Sequence, residues 1–274
     1  MPAAAHPGRD GPARNPLKRL LIRPGAIGDC VISLPALEFL RAGYTEVWAP
    51  SRTLPLIRFA DRVRSLVATG IDLVGITEPA LAAFIEFDSI TSWYGTNRTE
   101  FRDAVAHLPF TFYPALPDGR CHAVDFFMRQ VGGPDGAVPR IECARADGGF
   151  VAVHPFSGSE SKNWPLAAFE KLAAELPLPV SFCVSPEQHY PGAVQMDDLY
   201  QLACWLASAR VYVGNDSGIT HLAAAVGTPV VALFGPTDPA VWAPRSAAVI
   251  RGQPMSGIGV QAVRDAVMAQ IQAR

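Results

Sequence analysis

Two glycine turns in this chain carry the residue types and spacing that could do chemistry, and each follows an apolar run. In the longer stretch, Val211 to Asp238, the run Val211-Tyr212-Val213 meets a turn Gly214-Asn215-Asp216 and then Ser217-Gly218. Ile219, Leu222, Ala223 and Val226 follow at i, i+3, i+4 and i+7, which is one apolar face of a helix. Asp216 or Ser217 is expected to N-cap that helix, Gly227 and Pro229 to end it, and Pro229 to Phe234 to form the next strand. Strand, polar turn, helix and strand leave unpaired amides and the positive end of a helix dipole at the turn. Such a place binds anions, phosphate foremost. The second turn, Pro24-Gly25-Ala26-Ile27-Gly28-Asp29, follows the run Lys18 to Arg23 and opens a helical pattern through Ile32, Ala36, Leu37, Phe39 and Leu40. Taken alone, Asp29 is the N-cap of that helix. Pro35 must sit in its first turns or kink it.

Several chemistries are excluded at once. Gly25-x-x-Gly28 lacks the third glycine and the later acidic residue of the dinucleotide fingerprint, and no Gly-Lys-Ser/Thr occurs for a Walker A loop. Lys plus Arg number 23 against 25 Asp plus Glu, a net charge of −2, which gives no footprint for nucleic acid. The five cysteines, Cys30, Cys121, Cys143, Cys183 and Cys204, show no CxxC or Cys/His spacing. Reduced thiols are expected, with no zinc site and no disulfide framework. Asp197-Asp198 reads as capping for a helix at Leu199, so no metal site is expected there either. No apolar run approaches membrane-spanning length, and residues 1–17 read as a disordered Pro/Ala/Gly tail without a signal peptide's apolar core. The expected address is cytoplasmic.

The elements that must position these turns alternate strand and helix. After the first turn, Glu46 to Ala49 and Ser65 to Ala68 read as short strands around an Arg-rich stretch, Arg52, Arg58, Arg62 and Arg64. Ala80 to Ile90 fits helix or strand, Trp93 to Arg102 a loop or helix start, Leu108 to Asp118 a proline-rich loop, and His122 to Val131 a helix. Gly132 to Gly149 is rich in Gly, Pro and charge and marks a boundary. Beyond it come a strand at Phe150 to Val153, a polar loop His154 to Trp164, and a helix with Pro165 at N1 and Phe169, Leu172, Ala173 and Leu176 on its face. A strand at Val180 to Val184 and a helix through Leu199, Leu202, Ala203 and Leu206 lead back to Val211. Val260, Val263, Val267 and Ile271 predict a last helix. The expectation is therefore α/β: two Rossmann-like, doubly wound domains facing across a cleft, at 18–140 and 148–258, with a C-terminal helix at 259–274.

Three blocks occur in order: LLIRPGAIGDCVISLPALEFL, VAVHPFSGSESKNWPLAAFEKLAAEL and VYVGNDSGITHLAAAVGTPVVALFGPTDP. Together they resemble glycosyltransferase family 9, the ADP-heptose:lipopolysaccharide heptosyltransferases. The most specific part is Gly214-Asn-Asp-Ser-Gly-x-x-His221-Leu-Ala-Ala-Ala. The resemblance implies a metal-independent inverting transferase of GT-B fold, without a resident cofactor, whose C-terminal half holds a nucleotide-sugar donor, ADP-heptose for the family. Its N-terminal half would hold an anionic glycolipid or glycan acceptor, so that peripheral association with the inner face of the cytoplasmic membrane is implied.

The family's roles carry over residue by residue. Asp29 matches the base that takes the acceptor proton, against its own reading as a helix cap. Lys162, otherwise a solvated loop lysine, matches the lysine at the donor phosphates. Ser157 and Ser159 are hydroxyl donors beside it, and Ser217 and Gly218 supply amides. Glu187 matches an acidic residue at the ribose, although Ser185 stands where the family has glycine. Asp216 either binds the donor sugar or holds its turn, and His221 is either a ligand or a hydrogen-bonded structural histidine. Gly28, Arg52 and Arg58 fall on the acceptor side, where a solvated helix face explains the arginines equally well. The chain is short for the family, especially between Gln188 and Met196, which points to an altered acceptor. The same fold also admits an NDP-sugar epimerase or hydrolase, or a non-catalytic nucleotide-sugar-binding protein.

Overall fold

The computed structural model describes residues 17–75, 78–146 and 148–273. The tail expectation lies outside these residues, apart from Leu17, whose carbonyl accepts from the Tyr44 N–H.

The first half begins β1 (Lys18–Ile22), α1 (Ile27–Phe39), β2 (Tyr44–Ala49), a 3-10 turn Ser51–Leu56, β3 (Arg62–Ser65) and α2 (Leu66–Thr69). It continues through β4 (Ser89–Ser92), α3 (Thr99–Ala104), β5 (Phe110–Phe112) and α4 (Ala123–Gln130). The second half is β6 (Val151–His154), α5 (Leu166–Glu175), β7 (Val180–Phe182), α6 (Leu199–Ser208), β8 (Val211–Asn215), α7 (Gly218–Ala225), β9 (Val230–Phe234), α8 (Pro239–Trp242), β10 (Ala248–Arg251) and α9 (Val260–Gln272). Each half builds one five-stranded sheet, in the orders β3-β2-β1-β4-β5 and β10-β9-β8-β6-β7, and every pairing is parallel. In both, strand order reverses beside the strand that carries a glycine turn: β1 next to β4, and β8 next to β6. Parallel α/β sheets bind ligands outside the carboxyl ends at such switch points.

Some elements differ from the sequence reading, for local reasons. The strand expected at Ser65 to Ala68 is instead β3, shifted back to the arginines, followed by the single turn α2. Arg62 and Arg64 can be strand residues because Glu46 on β2, 2 % exposed at its side chain, lies 3.9 Å from each of them. Leu108 to Asp118 contains β5, an edge strand bracketed by Pro109 and Pro114, where a missing N–H is tolerated. The ambiguous Ala80 to Ile90 splits between the end of a 3-10 stretch Glu78–Phe84 and the start of β4. Pro35 lies in the third turn of α1, and the helix runs through it to Phe39. Pro165 takes the N-cap rather than N1. Asp198 caps α6 as expected, accepting from the Tyr200 and Gln201 amides.

The two halves share a core. Val31, Ile32 and Leu34 of α1, Val124 and Phe127 of α4, Leu202 and Leu206 of α6 and Ile219 and Leu222 of α7 form one continuous buried cluster. The connection from 132 to 150 packs on it through Ile141, whose N–H donates to Ala225 O. Polar contacts add to the join: Arg245 to Asp125, His122 Nε2 to Ala243 O, and Arg58 over the Tyr200 ring. The halves thus meet through packed helices. α9 lies on the second sheet, with Val263 and Val267 buried against Val211, Val231 and Leu233.

Candidate active site

Three loops at the carboxyl ends of β1, β6 and β8 build the site. Arg23 directly follows β1 and is 1 % exposed, with its guanidinium 4.6 Å from the Phe127 ring. Its Nε donates to Ser33 Oγ at 2.8 Å, Nη1 to Pro24 O at 2.8 Å and Nη2 to Asp29 O at 3.1 Å. Burial pulls its pKa below the ordinary value, and the neighbouring Asp29 charge opposes that pull. One buried cation therefore ties both ends of the turn together. Gly25 has φ +116, and a Cβ there would lie 2.7 Å from Asp29 Cβ, so no larger residue fits.

Asp29 is not the N-cap of α1. Ala26 is, and Asp29 stands at N3 with Oδ2 accepting from the Ala26 N–H at 2.8 Å, the return half of a capping box. Its Oδ1 lies 4.0 Å from Arg23 Nη2, and its side chain is 27 % exposed.

The β6 and β8 loops are clamped by Asn215, which is fully buried. Its Oδ1 accepts from the Trp164 N–H at 3.0 Å and its Nδ2 donates to Pro155 O at 2.8 Å. Asp216, 8 % exposed, accepts on Oδ2 from Lys162 Nζ and from Thr237 Oγ1, both at 2.7 Å. Neither Asp216 nor Ser217 caps α7 with its side chain: Ser217 occupies the N-cap without a side-chain bond. The first amides of α7 are left for a ligand, as the anion-site reading requires.

The two turns touch. A Cβ on Gly218 would lie 2.8 Å from Gly28 N and 2.9 Å from Ile27 Cβ, so α1 and α7 meet end to end only because glycine stands there. Beside this contact opens a cleft of about 400 Å³ lined by Gly25 to Gly28, Arg52, His154, Ser157, Ser185, Gln188 and Ser217 to Ile219. The sequence-predicted Gly28, Arg52, Ser157, Ser217 and Gly218 are thus brought together, whereas Asp29, Lys162 and Asp216 are not among the lining residues, although Asp29 and Asp216 adjoin Gly28 and Ser217 in the chain.

Other predicted residues stand elsewhere. The exposed Ser159 hydroxyl lies 2.9 Å from Ser161 Oγ. Glu187 is 71 % exposed and pairs with Arg52 Nη1 at 3.7 Å across the cleft mouth. Arg58, on Tyr200 at 4.2 Å, faces away from the cleft toward Glu38, Arg41 and Arg140. His221 is buried one turn into α7, with Cδ2 3.6 Å from where a Gly28 Cβ would be. Three residues escaped sequence reasoning: Arg23, Asn215 and His154. His154 and Asn215 end their strands and Arg23 directly follows one, and that position was the available signal. Among the described residues, no group of three or more His, Cys, Asp or Glu could hold a metal ion.

Burial pushes His154 and His221 down to a pKa of about 4, with Arg52 adding to the effect at His154 and Asp216 opposing it at His221. Both are neutral in the folded protein at pH 7. An unfolded chain titrates them near 6.5, so it binds more protons between that value and about 4. Their stabilising effect is complete above pH 6.5 and is lost as pH falls toward 4. Urea unfolding should show stability falling by about 2–4 kcal/mol between pH 7 and pH 5. The fall should shrink in His154→Gln, and equal falls in both proteins would remove His154 as a cause.

Residues 137–253 match the family model described as glycosyltransferase family 9 (heptosyltransferase). Over that stretch the chain is similar to glycosyltransferase family 9. It is a glycosyltransferase of the heptosyltransferase type. Lipopolysaccharide heptosyltransferase 1 of Pseudomonas aeruginosa is 24% identical over 81% of this chain and 80% of its own length. Lipopolysaccharide heptosyltransferase 2 of Escherichia coli is 44% identical over a shorter stretch, 22% of this chain and 17% of that protein. Among solved structures, the family 9 transferase of Veillonella parvula superposes with a TM-score of 0.75 at 18% identity, covering 94% of this chain and 98% of that one. The E. coli ADP-heptose lps heptosyltransferase II gives 0.74 at 18% identity, covering 94% and 99%. These likenesses establish the transferase's fold as GT-B, with the α/β class and paired parallel sheets that the sequence implied.

Proposed function

We propose that the protein moves a heptose-type sugar from a nucleoside diphosphate donor, ADP-heptose, to an anionic glycan acceptor of the lipopolysaccharide core, with inversion. The observation that carries this reading is the contact of the Gly28 turn with the uncapped start of α7 beside the cleft. A diphosphate seated on the α7 amides would lie beside the turn that carries Asp29. Lys162 Nζ has three donors and spends one on Asp216, which leaves two for phosphate oxygens. In the transfer, an acceptor hydroxyl attacks the anomeric carbon and gives its proton to Asp29, while the bond from that carbon to the phosphate oxygen breaks. The nucleoside diphosphate departs with one more negative charge, met by Lys162 and the α7 amides. We assign no resident cofactor or metal to this scheme. Of the two arginines expected on the acceptor side, Arg52 lines the cleft and Arg58 does not.

The relatives' activities support the sugar and the acceptor class, and an E. coli heptosyltransferase of the same fold has been solved with ADP. An acceptor built on lipid places the enzyme at the inner face of the cytoplasmic membrane; among the described residues no helix is long and apolar enough to cross it. The direct test is a thermal-shift panel of ADP, UDP, GDP and their sugars, followed by nucleotide release with and without a core oligosaccharide. ADP and ADP-heptose should give the largest shifts, with release only when acceptor is present. Release without acceptor would indicate a hydrolase or epimerase, and no shift with any nucleotide would overturn the donor reading.

A further inference from the structure

His154 ends β6 at the floor of the cleft and is 4 % exposed. Its Nδ1 lies 2.8 Å from Cys183 O, directly after the neighbouring strand β7. A carbonyl can only accept, so Nδ1 carries the proton of the neutral ring and Nε2 carries a lone pair. Nε2 has no hydrogen-bond partner among the described residues, and it is absent from the buried polar atoms sealed off without one. The ring lines both the cleft and the small cavity behind it, beside Arg52, Ser185 and Ile219. A nearly buried side chain therefore presents one unfilled acceptor to the ligand space. Burial and the Arg52 charge both disfavour the imidazolium, so the lone pair persists at neutral pH.

The position within the cleft says what fills it. The phosphate end is marked by Ser217, Gly218 and Ser157; His154 shares its other neighbours, Ser185 and Gln188, with the end of β7. An anion would be repelled by an uncharged acceptor, whereas the nucleoside offers O–H and N–H groups. We propose that His154 is a specificity residue for the donor nucleotide, its Nε2 accepting a hydrogen bond from a ribose hydroxyl or from the exocyclic amine of the base. This rests on the donor reading above. A buried acceptor left unfilled discriminates strongly against a ligand that lacks the matching donor.

The test is calorimetric binding of ADP, 2′-deoxy-ADP, 3′-deoxy-ADP and inosine diphosphate to the full chain and to His154→Phe and His154→Gln. In the wild-type protein one analogue should bind at least about 10-fold more weakly than ADP, and which one names the group that His154 reads. In His154→Phe, ADP should weaken to within about twofold of that analogue, and His154→Gln should restore part of the gap through its amide oxygen. Wild-type measurements alone would refute the idea if all three analogues bind as well as ADP. A deficit that survives in both variants would equally remove His154 from recognition. Failure of ADP, UDP and GDP alike to bind the wild-type protein would instead sink the donor reading, and this inference with it.

Discussion

Asp29→Asn should cut glycosyl transfer by about 10²–10⁴-fold while leaving donor affinity within about threefold, the signature of a lost general base. The isosteric amide can still accept from the Ala26 N–H through its oxygen, so the turn after β1 keeps its shape. What disappears is the group that could take a proton. The buried Arg23 also loses a counter-charge 4.0 Å away, which should cost about 1 kcal/mol of stability without unfolding the turn, because its guanidinium keeps Ser33 and two carbonyls. Steady-state kcat with saturating donor and acceptor, beside calorimetric donor binding, separates the two effects. A variant turning over at near wild-type rate would show that Asp29 is only the return half of a capping box.

The second large effect lies at the contact of the two turns. In Gly218→Ala, the new methyl would sit 2.8 Å from Gly28 N and 2.9 Å from Ile27 Cβ, and one of these neighbours is backbone that cannot swing aside. α1 and α7 must separate, against a core that packs them along their lengths. Overpacking of this kind costs about 1–3 kcal/mol. A displacement on the order of 1 Å between diphosphate site and base should lower transfer by up to about 10²-fold. Gly28→Ala is the internal control, since its methyl would meet Gly218 Cα at 3.4 Å, an ordinary contact. Its stability should match or exceed wild type by a few tenths of a kcal/mol, as expected for glycine replaced within a helix. Urea unfolding of the three proteins decides it. Equal stabilities for both variants would mean that the helix ends are not held in contact.

The local reading succeeded where a short-range force acts alone. Asp198 caps α6 because a carboxylate ahead of an apolar helical period satisfies orphan amides without help from elsewhere. Periodicity likewise located α1, α6, α7 and α9, since each has an apolar stripe to bury. It missed β5, three residues between prolines, because an edge strand of that length is held by pairing with β4 and by the Phe110 and Phe112 rings, not by propensity. It shifted β3 because the sequence does not announce that Glu46, far along the chain, will be buried opposite Arg62 and Arg64.

For the site, the sequence by itself determined the two glycine turns, their place at strand ends, and the family blocks that name Asp29 and Lys162. Those are properties of neighbours along the chain. That no side chain caps the start of α7 came from the structure. Only the tertiary structure decided that the turns touch through Gly28 and Gly218, and that Lys162 shares its charge with Asp216. It alone also sent Arg58 to Tyr200 and set His154 with a free nitrogen in the cleft. The Gly28–Gly218 and Arg58–Tyr200 contacts join residues brought together by two sheets docking across a common apolar core, and Lys162 meets Asp216 because β6 and β8 are neighbours in one sheet; a pattern read along one chain segment carries no term for either.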